Sequence, residues 1–298
     1  MLSILLPVYK CSCVALVTEL QRQCMECGIA YEIIVADDGT MADKTNQYIV
    51  ERNKGIVQLE GVRYIIRQEN VGRSAIRNFL FSQSKGDRIL FIDGDLSLDN
   101  PDFIRRYMQA EGDVVVGGIR IGGNPEQWKG NLRYKYECAF ERKHSLSDRQ
   151  KRPFQSFRTT NFIVKRAVFV QYPFDEKLTH YGYEDVLWGK TLEENGVQII
   201  HINNPITLTD YENNTLFIDK TEESLRTLYE YQMLLKGYSK LLEARDRVVL
   251  SHLLKVVLII NKLFGKKVKK LLQGNKPSIF LFNVYKLMYY ISLEQQTR

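Results

Sequence analysis

The run Leu90–Leu96, LFIDGDL, ends an apolar segment on two aspartates one residue apart. In an extended strand, side chains at i and i+2 point the same way, so Asp93 and Asp95 can aim at one site, and Gly94 between them permits close backbone approach. Two adjacent anions repel unless a cation lies between them. A hard divalent ion, Mg2+ or Mn2+, answers that need through one or two carboxylates, with water and phosphate oxygens completing its shell. For an isolated pair, a hydrated acidic turn capping a strand is the plainer reading. Here the pair has company: Tyr9, Asp37 and Asp38 also follow apolar runs directly.

The elements that must position these residues alternate. Short β-rich runs (SILLPVY, YEIIVAD, VRYIIR, DRILFID) are separated by amphipathic segments near 14–27, 42–53 and 73–83, and runs at 113–117 and 197–202 add further strands. Strands separated by such helices pair in parallel through right-handed crossovers, which gives an α/β fold with helices on both faces of the sheet. Ligands of these sheets bind at the carboxyl ends of the strands, where this chain places its acids. Residues 122–157 are polar, rich in Arg and Lys and almost without apolar periodicity, apart from a short helix near 134–140. They are expected to form a mobile loop that orders over substrate.

Composition sets the class. The 298 residues, 44% hydrophobic and 26% charged, suit a globular chain with a substantial core. Met1 leads straight into SILLPVY without a cationic and apolar leader, so a cytoplasmic location is expected. Five cysteines, an odd number, read as reduced thiols rather than a disulfide framework. Zinc bound by Cys11, Cys13, Cys24 and Cys27 would need the sulfurs to converge, whereas an intervening helix holds the two pairs about 20 Å apart.

The net charge of +7 is uneven: residues 1–214 hold 27 Lys and Arg against 28 Asp and Glu, and residues 215–298 hold 15 against 7. From Val248 to Leu272 the pattern reads as one helix with His252, Lys255, Lys262, Lys266 and Lys269 on one face. Such a helix either lies on anionic headgroups at the inner face of the cell membrane or packs on the catalytic domain with its basic face in water. Its charges interrupt every window long enough to span a bilayer. No nucleic-acid reading motif accompanies the basic tail.

SILLPVYK, YEIIVADDGT, NVGRSAIRN, LFIDGD, TTNFIVKRAVF and YGYEDVLWGKTLEENG, followed by NNP and KTEESLRTL, stand in an order that resembles family 2 glycosyltransferases of the GT-A fold. The resemblance covers about residues 1–235. It implies a GT-A (nucleotide-diphospho-sugar transferase) catalytic domain over 1–214, with a nucleotide-binding half at 1–120 and an acceptor half at 121–214. A basic helical extension follows over 215–298. The implied reaction moves a sugar, with inversion, from a nucleotide-sugar donor, expected to be UDP-linked, to an acceptor hydroxyl on a glycan or lipid-linked saccharide.

Residue by residue, the resemblance puts Pro7, Val8 and Tyr9 and Asp38 at the nucleoside, Asn70 and Arg73 beneath the diphosphate and ribose, and Asp93, Gly94 and Asp95 at the family's DxD. Asp95 is then the direct metal ligand and Asp93 is nearer the ribose or a metal-bound water. Arg77 reads as a helix-face cation. Asp185 matches the catalytic base and Glu184 its neighbour at the acceptor. Tyr181, Tyr183 and Trp188 would offer flat apolar faces to a sugar, although such aromatics equally serve a core. The start of a helix favours an ionised Asp185; capping that helix is the alternative role for the pair, and the company of the other motifs favours the catalytic one. Relatives often carry a histidine shortly after NP, where this chain has Leu208 or Thr209. His201 or Asp210 could replace it, with a buried, backbone-satisfied His201 the stronger expectation.

Two other readings compete. An apolar strand ending in DGDLS also resembles the nucleophile motif of haloacid-dehalogenase-like phosphatases, with Asp93 attacking phosphate, but that motif ordinarily stands near the start of the chain. A catalytically inactive sugar-binding module would be expected to lack the base, and Asp185 is present.

Overall fold

The computed structural model describes residues 1–296. In order the chain forms β1 (Leu2–Val8), α1 (Val14–Glu26), β2 (Tyr31–Asp37), α2 (Gln47–Asn53), β3 (Val62–Ile66), α3 (Arg73–Ser82), β4 (Arg88–Ile92) and α4 (Phe103–Gln109). There follow β5 (Val114–Val116), β6 (Ile119–Ile121), α5 (Pro125–Trp128), α6 (Leu132–Glu141), α7 (Leu146–Lys151), β7 (Asn161–Lys165), α8 (Arg166–Gln171) and α9 (Glu184–Glu194). The remainder comprises β8 (Ile199–His201), β9 (Ile206–Leu208), α10 (Asn214–Glu230), α11 (Lys240–Leu250), α12 (Leu254–Gln273) and α13 (Ile279–Gln296).

Among the described residues the strands make a seven-stranded sheet in the order β3-β2-β1-β4-β7-β5-β8 and a two-stranded sheet, β6-β9. Pairing is parallel except around β7, which runs antiparallel to β4 and β5. The strand order therefore reverses direction between β1 and β4, and the carboxyl ends of strands at such a switch point are where α/β sheets bind ligands. The sequence-derived expectation of a mostly parallel α/β sheet flanked by helices holds.

By its contacts the chain divides into two compact units. The first comprises Met1–Gly122, Lys143–Thr179 and Glu184–Asp210 and contains both sheets. Its core packs Leu5, Ile34, Phe91, Phe162 and Trp188 with their neighbours. The strands read as near-continuous apolar runs because helices cover both faces of a parallel sheet. The second unit comprises Gly123–Arg142, His180–Tyr183 and the chain from Tyr211 onward. Its core gathers Leu132, Ile218, Leu272, Phe282 and Tyr285 from α6, α10, α12 and α13. Asn214 closes the start of this unit: it accepts from the Leu132 N–H at 2.6 Å and donates to the carbonyls of Gly130 and Gly274.

Three features differ from the expectations. Residues 122–157 hold three helices, α5, α6 and α7, rather than a loop with one short helix. Short, half-exposed helices show little apolar periodicity; their signal was in the caps, since Asn124, Asn131 and Ser145 each accept a backbone N–H in the first turn. The compact units also part at Gly122 and Asp210 and interleave, where a single boundary near 214 was expected.

Third, the helix read from Val248 to Leu272 breaks at His252, whose φ is +57°. The His252 N–H bonds the Val249 carbonyl at 3.1 Å and the Leu253 N–H bonds the Val248 carbonyl at 3.1 Å, a Schellman stop with histidine where glycine is usual. Among the described residues no single helix is long and apolar enough to cross a membrane; α11 and α12 qualify only together, and they are bent by 113°.

Candidate active site

Pairing between β1 and β4 ends at Leu5 and Phe91, after which the Gly94 N–H reaches the Pro7 carbonyl at 3.2 Å. A Cβ on Gly94 would lie 2.3 Å from Val8 Cγ1, so only glycine lets the DGD turn close onto β1. Val8 is thereby buried beneath the turn and offers a ligand no side chain. The Val8 carbonyl instead accepts the Asp38 N–H at 2.8 Å, which joins the end of β2 to the same place. Tyr9 is exposed above it, with the Lys10 ammonium over its ring at 5.0 Å.

Asp38 is buried and accepts the Val71 N–H at 3.0 Å. Burial pushes its carboxyl above the ordinary range, while the Val71 and Gly72 N–H groups pull it back. The loop carrying Asn70 and leading into Arg73, the first residue of α3, is thus tied to the end of β2. Gly39 secures the contact from the other side: at φ +87°, its missing Cβ would lie 2.5 Å from the Asn70 nitrogen. Asn70 is exposed and accepts the Gly72 N–H at 3.2 Å as the chain enters α3.

Arg77, expected as a helix-face cation, is one of the most buried side chains of the first unit. One guanidinium nitrogen donates to Asp93 at 2.6 Å and the other lies 3.8 Å from Glu184, which also accepts from Arg73 at 3.1 Å. The four residues form a chain of alternating charge from the strand-end acids to the first turn of α9. Glu184 is only 5% exposed, and its ion pairs to Arg73 and Arg77 anchor the first turn of that helix. Sequence reasoning missed this role because one helical turn of separation between Arg73 and Arg77 says nothing of which arginine turns inward.

Asp185 follows directly. Burial, with Glu184 alongside, pushes its carboxyl up to about 6, opposed by Arg158, the Val186 N–H and Arg73. A carboxyl titrating there has a proton affinity in the range that general base chemistry uses. Tyr183 just before the helix has φ +70°, a strained conformation for a non-glycine residue, of the kind that clusters at functional sites.

Trp188 falls elsewhere than the expected sugar-facing position. It is core: its ring packs on Phe157 and Phe174 at 4.9 and 5.1 Å, and its Nε1–H donates to the Tyr172 carbonyl at 2.8 Å. His201 is buried between Arg149 and the Pro153 carbonyl, and desolvation lowers its pKa to about 4, so it stays neutral. Cys11, Cys13, Cys24 and Cys27 are free thiols, the first pair just before α1 and the second at its carboxyl end.

Among the described residues no group of three His, Cys, Asp or Glu side chains is placed to hold a metal ion. Asp93 is held by Arg77, and Asp95 is exposed at the strand end. One exposed carboxylate at the end of a strand beside the sheet's switch point fits a hard ion whose other ligands come from a diphosphate and water. The held Asp93 also lacks the freedom of a phosphatase nucleophile.

The family model described as glycosyl transferase family 2 matches residues 3–173. An undecaprenyl-phosphate 4-deoxy-4-formamido-L-arabinose transferase of Pseudomonas aeruginosa is 31% identical over 135 residues, 43% of this chain and 38% of the relative. The protein of the same description from Aeromonas hydrophila is 29% identical over 124 residues, 40% of this chain and 37% of the relative. The chain thus matches well under half the length of these curated relatives. A mannosyltransferase from Pyrobaculum calidifontis, solved in complex with GDP-Man and Mn2+, has a TM-score of 0.55 at 11% identity, covering 99% of this chain and 86% of that one. At that identity the likeness carries the fold alone, and the fold is GT-A, as the sequence led us to expect. With more than half of its length matched by the family model and a GT-A sheet beneath the matched motifs, the chain belongs to glycosyl transferase family 2.

Proposed function

We propose that the protein is an inverting glycosyltransferase that takes a sugar from a UDP-linked donor and places it on the hydroxyl of a lipid-linked saccharide or glycan. The observation that carries this reading is the buried Arg77, which ties the donor-end acid Asp93 to Glu184, the residue before Asp185. One salt-bridged chain thereby fixes a diphosphate-binding strand end relative to a carboxylate tuned near neutrality. The description of the relatives as undecaprenyl-phosphate transferases supports an acceptor carried on a lipid.

The roles follow from the chemistry. Asp38, Pro7 and Tyr9 hold the nucleoside, and Asn70 and Arg73 lie beneath the diphosphate. Asp95 would hold Mg2+ or Mn2+, which when bound neutralises charge on the departing diphosphate. The anomeric carbon passes through an oxocarbenium-like state while the acceptor hydroxyl attacks from the opposite face. Asp185 accepts the hydroxyl proton as the new glycosidic bond forms and the bond to the diphosphate oxygen breaks.

Thermal stabilisation by a panel of nucleotide sugars, with Mn2+ and with chelator, tests the reading. UDP-sugars should raise the melting temperature only with metal, and Asp95→Ala should remove the metal and donor responses together. Nucleotide stabilisation that survives both chelator and Asp95→Ala would refute the assignment.

A further inference from the structure

We infer that α12 and its junction with α11 form a monotopic docking surface for an anionic lipid bilayer. The helix is two-sided within the second unit: Gly265 and Leu272 are buried, while large apolar side chains on the opposite side are in solvent. Leu250 is 79% exposed, Leu263 67% and Phe264 50%, with Leu253, Val256 and Ile260 continuing the patch. At 100° per residue, positions 256, 260, 263 and 264 share one outward stripe. A chain that gains by burying apolar surface does not leave this much in water unless something covers it.

The charge pattern identifies the cover. Lys255, Lys262 and Lys266 recur at i, i+7 and i+11 along one border of the stripe, and Lys267 and Lys270 close its carboxyl end. All are exposed, and α12 carries no acidic residue. A second copy of the chain would set these lysines against their own kind, which opposes self-association. An anionic membrane satisfies both features, taking the apolar stripe into the acyl boundary and the lysines at the headgroups.

The surface differs from the face legible in the sequence. Lys269 points into the protein, paired with Asp219 at 3.1 Å and Glu222 at 2.7 Å, and His252 serves the break between the helices. The 113° bend at that break presents Leu250 and Leu253 at a corner, where a straight helix would have carried them along its length. The proposal is independent of the glycosyltransferase reading, since none of these residues takes part in the candidate active site.

Sedimentation of the full chain with vesicles tests it. The protein should pellet with phosphatidylcholine vesicles carrying about one-third phosphatidylglycerol and remain in the supernatant with phosphatidylcholine alone. Lys266→Glu, Lys267→Glu and Lys270→Glu together should lower partitioning by more than about a hundredfold, at about fivefold or more per lysine. Leu263→Glu with Phe264→Glu should also release the protein while leaving circular dichroism and the melting temperature unchanged, because both side chains are exposed; the milder Phe264→Ser should weaken binding in the same direction. Equal pelleting with both vesicle types, or a dimer that the apolar variants dissociate and that ignores both, would overturn the proposal.

Discussion

Replacing Arg77 by methionine tests the salt-bridged chain at its centre. The guanidinium is 2% exposed, donates to Asp93 at 2.6 Å and lies 3.8 Å from a Glu184 that is 5% exposed. Removing one partner of a buried ion pair leaves the other charge stranded, at a cost of about 3–5 kcal/mol. The lower end applies, because Asp93 retains 17% exposure and Glu184 keeps Arg73 at 3.1 Å. About 3 kcal/mol should therefore appear as a lower urea midpoint at unchanged slope for the transition of the first unit. Adding Asp93→Asn should recover part of the loss, since an amide needs no counter-ion; the coupling between the two positions is then about 1–3 kcal/mol. A loss below about 1 kcal/mol with no coupling would show that Arg77 does not anchor the strand end to α9.

Gly94→Ala should destabilise the protein and weaken donor binding, because the added methyl would lie 2.3 Å from Val8 Cγ1 and 3.0 Å from the Pro7 carbonyl; an unchanged melting temperature and donor affinity would contradict the packing described. The pH dependence of kcat/KM should show one ionisation near 6 from Asp185, which must be deprotonated to act, so activity falls about tenfold per unit below that value and levels off above 7. A profile flat from pH 5 to 8 would remove Asp185 from the role. The same shift works against stability as pH rises: a carboxyl whose folded pKa exceeds its unfolded value favours the fold when protonated, and that contribution is lost between about 4 and 6.

The sheet was legible because its strands are fully buried: runs such as SILLPV and RILFI need no alternation to announce themselves, and their spacing by helices implied parallel pairing. The acids at the ends of β2 and β4 were legible for the same reason, since a strand's end is where its apolar run stops. What could not be read were the orientations. Arg73 and Arg77 lie on one helix face, yet one is exposed and the other buried. Trp188 beside Glu184 and Asp185 had the composition of a sugar platform, but α9 turns it into the aromatic core. The short helices of 122–157 and the histidine stop at 252 depend on hydrogen bonds to caps rather than on apolar period. Segment patterns report burial well, whereas the choice among neighbouring polar residues is made by tertiary contacts that no local pattern encodes.

The most direct test of the central claim separates binding from transfer in Asp185→Asn. Asparagine keeps the shape of the side chain at the start of α9 but cannot take a proton at neutral pH. The account predicts donor affinity within about twofold of the parent and a transfer rate below about one-hundredth of it. A variant that still transfers sugar above that rate, or that loses the donor together with activity, would contradict the assignment of Asp185 as the group that deprotonates the acceptor.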